Sequence, residues 1–288
     1  MPELPEVETL KIGLQKYVVG KTITNMVVID SKLLTGDPKS VVGAEVKDVK
    51  RYAKGIVLEL SNKSAIAFHI KLTGQLIYRD PSNKDLEVLK PTPSTVPNKF
   101  TRVDIILNKD SHLYFQEVRG FAWMKIMPLT EIKELSFFKS LGPEPFPSPG
   151  SGTPRLTLEI FTEIVKKSNL PIKALLMEQT KIGGIGNIYA NDGCFEAKID
   201  PRRKAKELSD QEIKVLFDSV LKVLENGMKY RGSSELNFVD VLGQKGEYQN
   251  HFLVYGRKNK LCTRDDGGIV EKVYLAGRGT FYCVKCQH

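Results

Sequence analysis

The fold of the first half of the chain is decided by residues 54–70, KGIVLELSNKSAIAFHI. Two runs rich in β-branched and aromatic residues, Ile56–Leu60 and Ala65–Ile70, flank a turn-forming Ser-Asn-Lys tripeptide, the pattern of a β-hairpin. Similar short runs recur from Thr22 to about Met127. This part of the chain is therefore predicted to be an antiparallel β domain.

A helix is predicted ahead of the β domain, from Pro5 to about Val19. Its apolar residues follow helical spacing, and a proline is tolerated in a first helical turn. The apolar positions are Val7, Leu10, Leu14 and Val18.

The second half begins after a segment, LGPEPFPSPGSGTP, that is too rich in Pro, Gly and Ser for regular structure and indicates a linker. Beyond it an apolar stripe from Ile213 to Leu224 predicts a helix, and Ser209 with Glu212 predicts a capping box at its start. The fold class is α+β. The predicted divisions are residues 1–140, a linker 141–154, a helical domain 155–248 and a tail 249–288.

Charge and composition narrow the classes of function. The chain has 43 Lys and Arg against 34 Asp and Glu, a net charge of +9, which favours a polyanionic partner such as DNA or RNA. No apolar run approaches the roughly eighteen residues that span a bilayer, which excludes a membrane protein. The acidic N-terminus carries no secretory signal, so we expect a cytoplasmic protein.

The amino terminus offers a catalytic device. Removal of Met1 would expose the secondary amine of Pro2, and an α-amino group with a reference pKa of about 7.7 to 8.0 is partly neutral at physiological pH. With a damaged nucleotide as the substrate, the amine would attack C1′ of the sugar. Glu3 would protonate the oxygen of the opening sugar ring, and Glu6 would hold the amine through an ion pair. The alternative is structural, because acidic residues are common in a first helical turn and most N-terminal prolines do no chemistry.

The segment MPELPEVET, residues 1–9, resembles the N-terminal signature of the formamidopyrimidine-DNA glycosylase family. The resemblance implies a bifunctional glycosylase and abasic-site lyase of base excision repair that removes oxidised purines from duplex DNA. Schiff-base chemistry at Pro2 would be followed by β,δ-elimination. It further implies an N-terminal β-sandwich, a helix-two-turns-helix domain with a zinc-finger-like hairpin, and a monomer in the bacterial cytosol.

Further motifs extend the resemblance over the first domain. Lys54 takes the place of a lysine that contacts phosphate beside the lesion, although by itself it is also typical of a solvated hairpin edge. Leu72, in HIKLTGQL, stands where the family has a Met that enters the gap left by the everted nucleotide. Arg119 and Phe121, in EVRGFAWM, take the other two void-filling positions, and Gly120 replaces a second basic residue between them.

In the second domain KIGGIGNIYAND, residues 181–192, is similar to the helix-two-turns-helix hairpin. Helices are predicted at 172–179 and 188–195, with backbone amides at the N-terminus of the second pointing at a phosphate. Asn187 and Tyr189 are the candidate DNA contacts there. RGSSELNFVDVLGQKGEYQ, residues 231–249, is similar to the loop that covers the everted base.

The tail resembles the family's zinc finger but breaks its pattern of two Cys-x-x-Cys pairs. The candidate ligands are Cys262, Asp265, Asp266, Cys283 and Cys286, with His288 a further option. Asp265 keeps the spacing after Cys262 and Asp266 keeps the spacing before Cys283. A metal-free hairpin is the alternative.

Two further residues of the second half are singled out. Arg278 takes the place of the arginine that binds phosphate at the tip of the family's finger. Cys194 stands apart from the other cysteines and is predicted to be a small buried hydrophobe.

Two rival functions remain open. An endonuclease VIII-like preference for oxidised pyrimidines is disfavoured by Leu4, because that branch usually has Gly at this position. A non-catalytic DNA-binding module is favoured by the altered finger. It is disfavoured by the retention of five family residues: Pro2, Glu3, Lys54, Asn187 and Arg278.

Overall fold

The computed structural model describes residues 1–89, 95–108 and 110–288. By its internal contacts the chain forms two compact units. The first comprises residues 1–139, 148–152 and 230–249, and the second comprises residues 140–147, 153–229 and 250–288. Within the described ranges, every helix is too short or too polar to span a bilayer.

The first unit is a β-sandwich behind a leading helix, α1 (Leu4–Val18), as predicted. One sheet has the strand order β1-β7-β8-β6 and the other the order β2-β9-β5-β4-β3. All pairings are antiparallel except the short β2–β9 pair, which is parallel. The strands are β1 Ile23–Val28, β2 Leu34–Thr35, β3 Val46–Tyr52, β4 Gly55–Leu60, β5 Ser64–His69, β6 Gln75–Arg79, β7 Thr101–Leu107, β8 Ser111–Gln116 and β9 Trp123–Pro128.

Alternating burial explains how the two sheets pack. In β7 every second residue is buried and the residues between are half-buried, because successive side chains of a strand point to opposite faces. The buried faces of both sheets form one apolar cluster, which Leu10 and Leu14 of α1 join. The catalytic candidates at the N-terminus are thus held by a helix that is part of this core.

The second unit is helical. The helices that follow α1 in the chain are α2 Ser136–Lys139 in the first unit, and α3 Leu158–Lys166, α4 Ile172–Leu176, α5 Asn187–Glu196 and α6 Asp210–Lys229 in the second. The predicted capping box at α6 is confirmed, since the Ser209 backbone N–H donates to Glu212 Oε2 at 2.8 Å and the Glu212 N–H donates to Ser209 Oγ at 3.3 Å. Cys194 of α5 is fully buried, as predicted, and burial raises its pKa to about 12.

A two-stranded hairpin, β10 (Val270–Leu275) and β11 (Arg278–Cys283), completes the second unit. Its two-residue turn, Ala276-Gly277, has φ of 48° and 71°, the left-handed geometry that matches the twist of paired strands. Arg278 therefore sits directly after a tight turn, exposed at the tip of the hairpin.

Two segments differ from the predicted divisions. Residues 141–154 contain no helix or strand, but the segment is packed in part: Glu144 is fully buried and pairs with Arg155 in a β-bridge, whereas residues 149, 150, 152 and 154 are exposed. Residues 230–249 belong to the first unit, whereas the predicted helical domain includes residues 230–248 and the predicted tail begins at residue 249. The Tyr78 N–H donates to Val241 O at 2.7 Å and Gln75 Nε2 donates to Asn237 O at 2.8 Å, so strand β6 anchors this segment.

Candidate functional site

The first turn of α1 is fixed to residues 230–249 by one carboxylate. Glu6 Oε2 accepts the Glu3 N–H at 2.7 Å, and Glu6 Oε1 accepts the Ser233 N–H at 2.7 Å. Pro2, Glu3 and Glu6 are all buried. Each Glu6 oxygen thus accepts a backbone amide, which fixes the N-terminal turn to the segment around Ser233. The predicted ion pair between Glu6 and the Pro2 amine requires removal of Met1 and stays a prediction.

Gly232 is required where this segment meets Glu6. It has a φ of +76°, and a Cβ there would lie 2.7 Å from Glu6 Cγ and 2.8 Å from Glu6 Oε1. We expect Gly232→Ala to displace the Glu6 carboxylate. Gly43 is the matched control, because it has a similar φ of +85° but open space around its Cβ position. Urea unfolding should show Gly232→Ala to be less stable than Gly43→Ala by at least about 1 kcal/mol; equal losses would contradict the clash.

Lys54 lies in the two-residue turn between β3 and β4 and is buried. A partly buried ion pair supports this turn: Arg51 donates from Nε to Glu8 Oε2 at 2.7 Å and from Nη1 to Ala53 O at 3.2 Å. Burial alone would raise the pKa of Glu8, but Arg51 and Lys11 outweigh it and lower the pKa. The turn that carries Lys54 is therefore rigidly supported rather than a free hairpin edge.

The three void-filling candidates lie on two loops of the first unit. Leu72 is half-buried in the turn after β5, while Arg119 and Phe121 are exposed in the loop after β8. The Arg119 guanidinium lies over the Phe121 ring at 5.1 Å, within the range of a cation–π contact. An exposed aromatic ring beside a guanidinium is suited to insertion into a base stack.

His69, at the end of β5, gives the first unit a dependence on acid. Burial, together with Lys71 and Lys54, lowers the pKa of His69 from 6.5 to about 3. Between these two pKa values His69 is protonated in the unfolded chain but neutral in the folded chain. The free energy of unfolding therefore decreases as the pH falls from 6.5 towards 3. Between pH 7 and pH 5 we expect a loss of at most about 2 kcal/mol in the free energy of unfolding.

The measurement is the urea midpoint at these two pH values, for the wild type and for His69→Phe. The substituted ring keeps the aromatic contacts with Trp123 and Phe137. We expect a smaller pH dependence in this variant. The same dependence in both proteins would rule His69 out as its source.

In the second unit, Asn187 begins α5, after the buried run 182–186. The Asn187 carboxamide is held by Lys173, whose Nζ donates to Asn187 Oδ1 at 2.6 Å, to Thr280 Oγ1 at 2.9 Å and to Gly279 O at 3.2 Å. Lys173 thereby joins the start of α5 to the strand that begins with Arg278. The α5 amides and Arg278 are groups that bind phosphate.

Among the DNA-contact candidates of the second unit, Tyr189 is the one whose side chain lies away from solvent. Its side chain is fully buried, and a Cβ on Gly227 of α6 would lie 2.4 Å from its ring. Asn187 and Tyr189 are two positions apart on α5 and therefore lie on opposite sides of the helix. The Tyr189 side faces α6. We therefore leave Tyr189 out of the proposed DNA contacts.

The tail brings together four metal-ligating side chains. The ligand atoms of Cys262, Asp266, Cys283 and Cys286 all lie within 4.8 Å of one another. The two Sγ atoms of Cys262 and Cys286 are 3.9 Å apart, and Asp266 Oδ2 is 3.7 Å from Cys283 Sγ. Thiolates at 2.3 Å from a tetrahedral zinc ion are about 3.8 Å apart, so the set fits zinc. Neither Asp265 nor His288 belongs to this group.

Sequence reasoning missed two polar side chains that organise the site. Lys173 stands among buried apolar residues of α4, and Glu117 begins the loop with Arg119. A lone charged residue beside apolar ones carries no periodic signal, and the partners of both residues depend on tertiary contacts.

Two family models match the chain. Residues 1–124 match the formamidopyrimidine-DNA glycosylase N-terminal domain, and residues 141–238 match the formamidopyrimidine-DNA glycosylase H2TH domain. Curated relatives named formamidopyrimidine-DNA glycosylase include those of Listeria innocua and Carboxydothermus hydrogenoformans. Each is 34% identical to the chain, and each alignment covers the full length of both proteins.

Solved structures give the same result. The Fpg protein of Thermus thermophilus is similar with a TM-score of 0.83 and 30% identity, over 99% of this chain and 98% of that one. A Lactococcus lactis Fpg mutant in complex with Fapy-dG-containing DNA is similar with a TM-score of 0.85 and 28% identity, over the whole of both chains.

Proposed function

The chain belongs to the formamidopyrimidine-DNA glycosylase family of base-excision-repair enzymes that act on damaged bases in DNA, and from that premise we propose that it removes oxidised purines and then cleaves the strand. The proposed substrates are 8-oxoguanine and formamidopyrimidines in duplex DNA. The observation that carries the proposal is the anchored N-terminal turn, in which Glu6 binds the backbone of both Glu3 and Ser233. Such anchoring holds a nucleophile in one orientation.

Pro2 is the proposed nucleophile once Met1 has been removed. Its amine attacks C1′ of the damaged nucleotide, the C1′–N bond to the base breaks, and the sugar ring opens as O4′ takes a proton from Glu3. The resulting iminium acidifies the adjacent sugar C–H bonds. Loss of these protons expels first the 3′ phosphate and then the 5′ phosphate.

The remaining residues would hold the DNA. Lys54, Asn187 and Arg278 are proposed to bind phosphate around the lesion, while Leu72, Arg119 and Phe121 occupy the space left by the everted nucleotide. The net charge of +9 supports binding that weakens with salt. We also propose that the protein acts as a monomer in the bacterial cytosol, and the curated relatives are bacterial.

Zinc is the proposed structural metal of the tail. Cys262, Asp266, Cys283 and Cys286 would hold it, and the ion would supply cross-linking of the hairpin rather than a step of the reaction. The metal-free hairpin is the alternative. Arg278 lies at the other end of the hairpin from Cys283, so the cross-link would keep the arginine in position.

The substrate class is tested with two duplexes, one with 8-oxoguanine opposite cytosine and one with thymine glycol. We expect single-turnover excision to be faster for 8-oxoguanine by at least about 10-fold. A preference for thymine glycol would instead favour the endonuclease VIII-like reading.

A further inference from the structure

A buried carboxylate joins the two loops that carry the void-filling residues. Glu117 is fully buried. Its Oε1 accepts the Thr73 hydroxyl and also the Arg119 N–H at 2.7 Å, while its Oε2 accepts the Ala122 N–H at 2.9 Å. Thr73 directly follows Leu72, and residues 119 and 122 bracket Phe121. One side chain therefore fixes both loops.

We propose that Glu117 is a positioning residue for base eversion, because its carboxylate sets the spacing between Leu72 on one loop and Arg119 and Phe121 on the other. The inference rests on the proposed function. The Glu117 side chain is shielded from solvent, and the partners of its carboxylate are Thr73, Arg119 and Ala122 rather than residues of the chemistry at Pro2. Its effect should appear in opening the duplex rather than in bond breaking.

The loops need such a tie because each is short and irregular. The two loops also lie close together, because a Cβ on Gly74 would lie 3.0 Å from Ala122 Cβ. Three side chains that enter one base stack must keep their mutual distances. If the loops were flexible, ordering them on binding would cost free energy and weaken DNA binding. The buried acceptor removes that freedom before DNA binds.

Glu117→Gln is the direct test, because it keeps the size of the side chain. A carboxamide has one acceptor oxygen and one NH₂ donor. In one orientation the NH₂ faces the Ala122 N–H, which loses the Glu117 acceptor. In the other orientation it faces the Arg119 N–H, which keeps only its longer bond to Thr73 Oγ1 at 3.3 Å. Either way the tie to one loop is weakened.

Eversion and chemistry are measured separately. A duplex with 2-aminopurine beside 8-oxoguanine reports unstacking by stopped-flow fluorescence, and single-turnover excision is followed on the same duplex. A single-stranded oligonucleotide with a ready-made abasic site requires no opening of a base pair and reports the Pro2 chemistry by borohydride trapping. We expect Glu117→Gln to slow unstacking and excision by roughly 10- to 100-fold, with trapping on the single strand within about threefold of wild type.

A second pair of variants keeps the test valid if Glu117→Gln fails to fold. Thr73→Val removes the hydroxyl that donates a hydrogen bond to Glu117, and Thr73→Ser retains it. We expect slow unstacking in Thr73→Val and recovery in Thr73→Ser.

Three results would overturn the role of Glu117: unstacking at the wild-type rate in Glu117→Gln, equal unstacking rates in the two Thr73 variants, or an equal loss of trapping and excision. Failure of the wild type to be trapped would instead contradict the proposed chemistry at Pro2. The unstacking rate would still decide the role of Glu117.

Discussion

A chain that retains any residue ahead of Pro2 is expected to form no borohydride-trapped adduct with DNA. An amide nitrogen has no available lone pair for attack on C1′, so both base excision and strand cleavage should fall by at least about 1000-fold. The measurement uses the full chain with a cleavable N-terminal extension, before and after cleavage exposes Pro2. Gel mobility of the trapped adduct and of the cleaved strand gives the two readouts.

DNA affinity is the control for this experiment. Because the DNA-contact candidates lie elsewhere in the chain, we expect the blocked protein to bind a lesion-containing duplex within about threefold of the processed one. Strand cleavage by the blocked protein at an undiminished rate would refute the proposed nucleophile. If the correctly processed chain forms no adduct and yet binds DNA, the protein is instead a non-catalytic DNA-binding module.

Loss of the Asp266 carboxylate is expected to release the metal from the tail. A structural zinc site contributes directly to folding, and three remaining ligands leave an open coordination position. We expect Asp266→Ala to lower zinc affinity by at least about 100-fold. DNA affinity should also fall by about 10-fold or more, because Arg278 is no longer held. Native mass spectrometry and a competition titration with a chelator measure the metal, and fluorescence anisotropy measures the DNA.

Asp265→Asn is the matched control, since this neighbour is not among the clustered ligands and asparagine tolerates its φ of +53°. It should retain both zinc and DNA affinity. Asp266→Cys should bind zinc at least as tightly as the wild type, because a thiolate restores a four-sulfur set. A wild-type protein that carries no zinc after preparation with excess metal would favour the metal-free hairpin.

Local patterns in the sequence predicted the regular elements well. The spacing of Leu10 and Leu14 predicted α1, and the Ser209–Glu212 pair marked the start of α6. The Ser-Asn-Lys turn separated β4 from β5. These features depend on contacts between residues close in the chain, so periodicity and capping chemistry are enough to find them.

Choices between neighbouring residues needed the fold. Sequence spacing left Asp265 and Asp266 equivalent, and only the path of the chain into β10 brought Asp266 to the three cysteines. The same holds for Tyr189, whose place on α5 relative to α6 decided that it is buried.

The sequence by itself determined the family and the α+β class with its main regular elements, and it supplied the residues proposed for the chemistry. Tertiary structure alone decided the fourth metal-ligand candidate, the attachment of residues 230–249 to the first unit, and the partners of Glu6, Glu117 and Lys173. The physical reason is range. Helical and strand periodicity is set by neighbours within a few residues, whereas a buried carboxylate or ammonium takes its partners from segments up to 227 positions away in the chain.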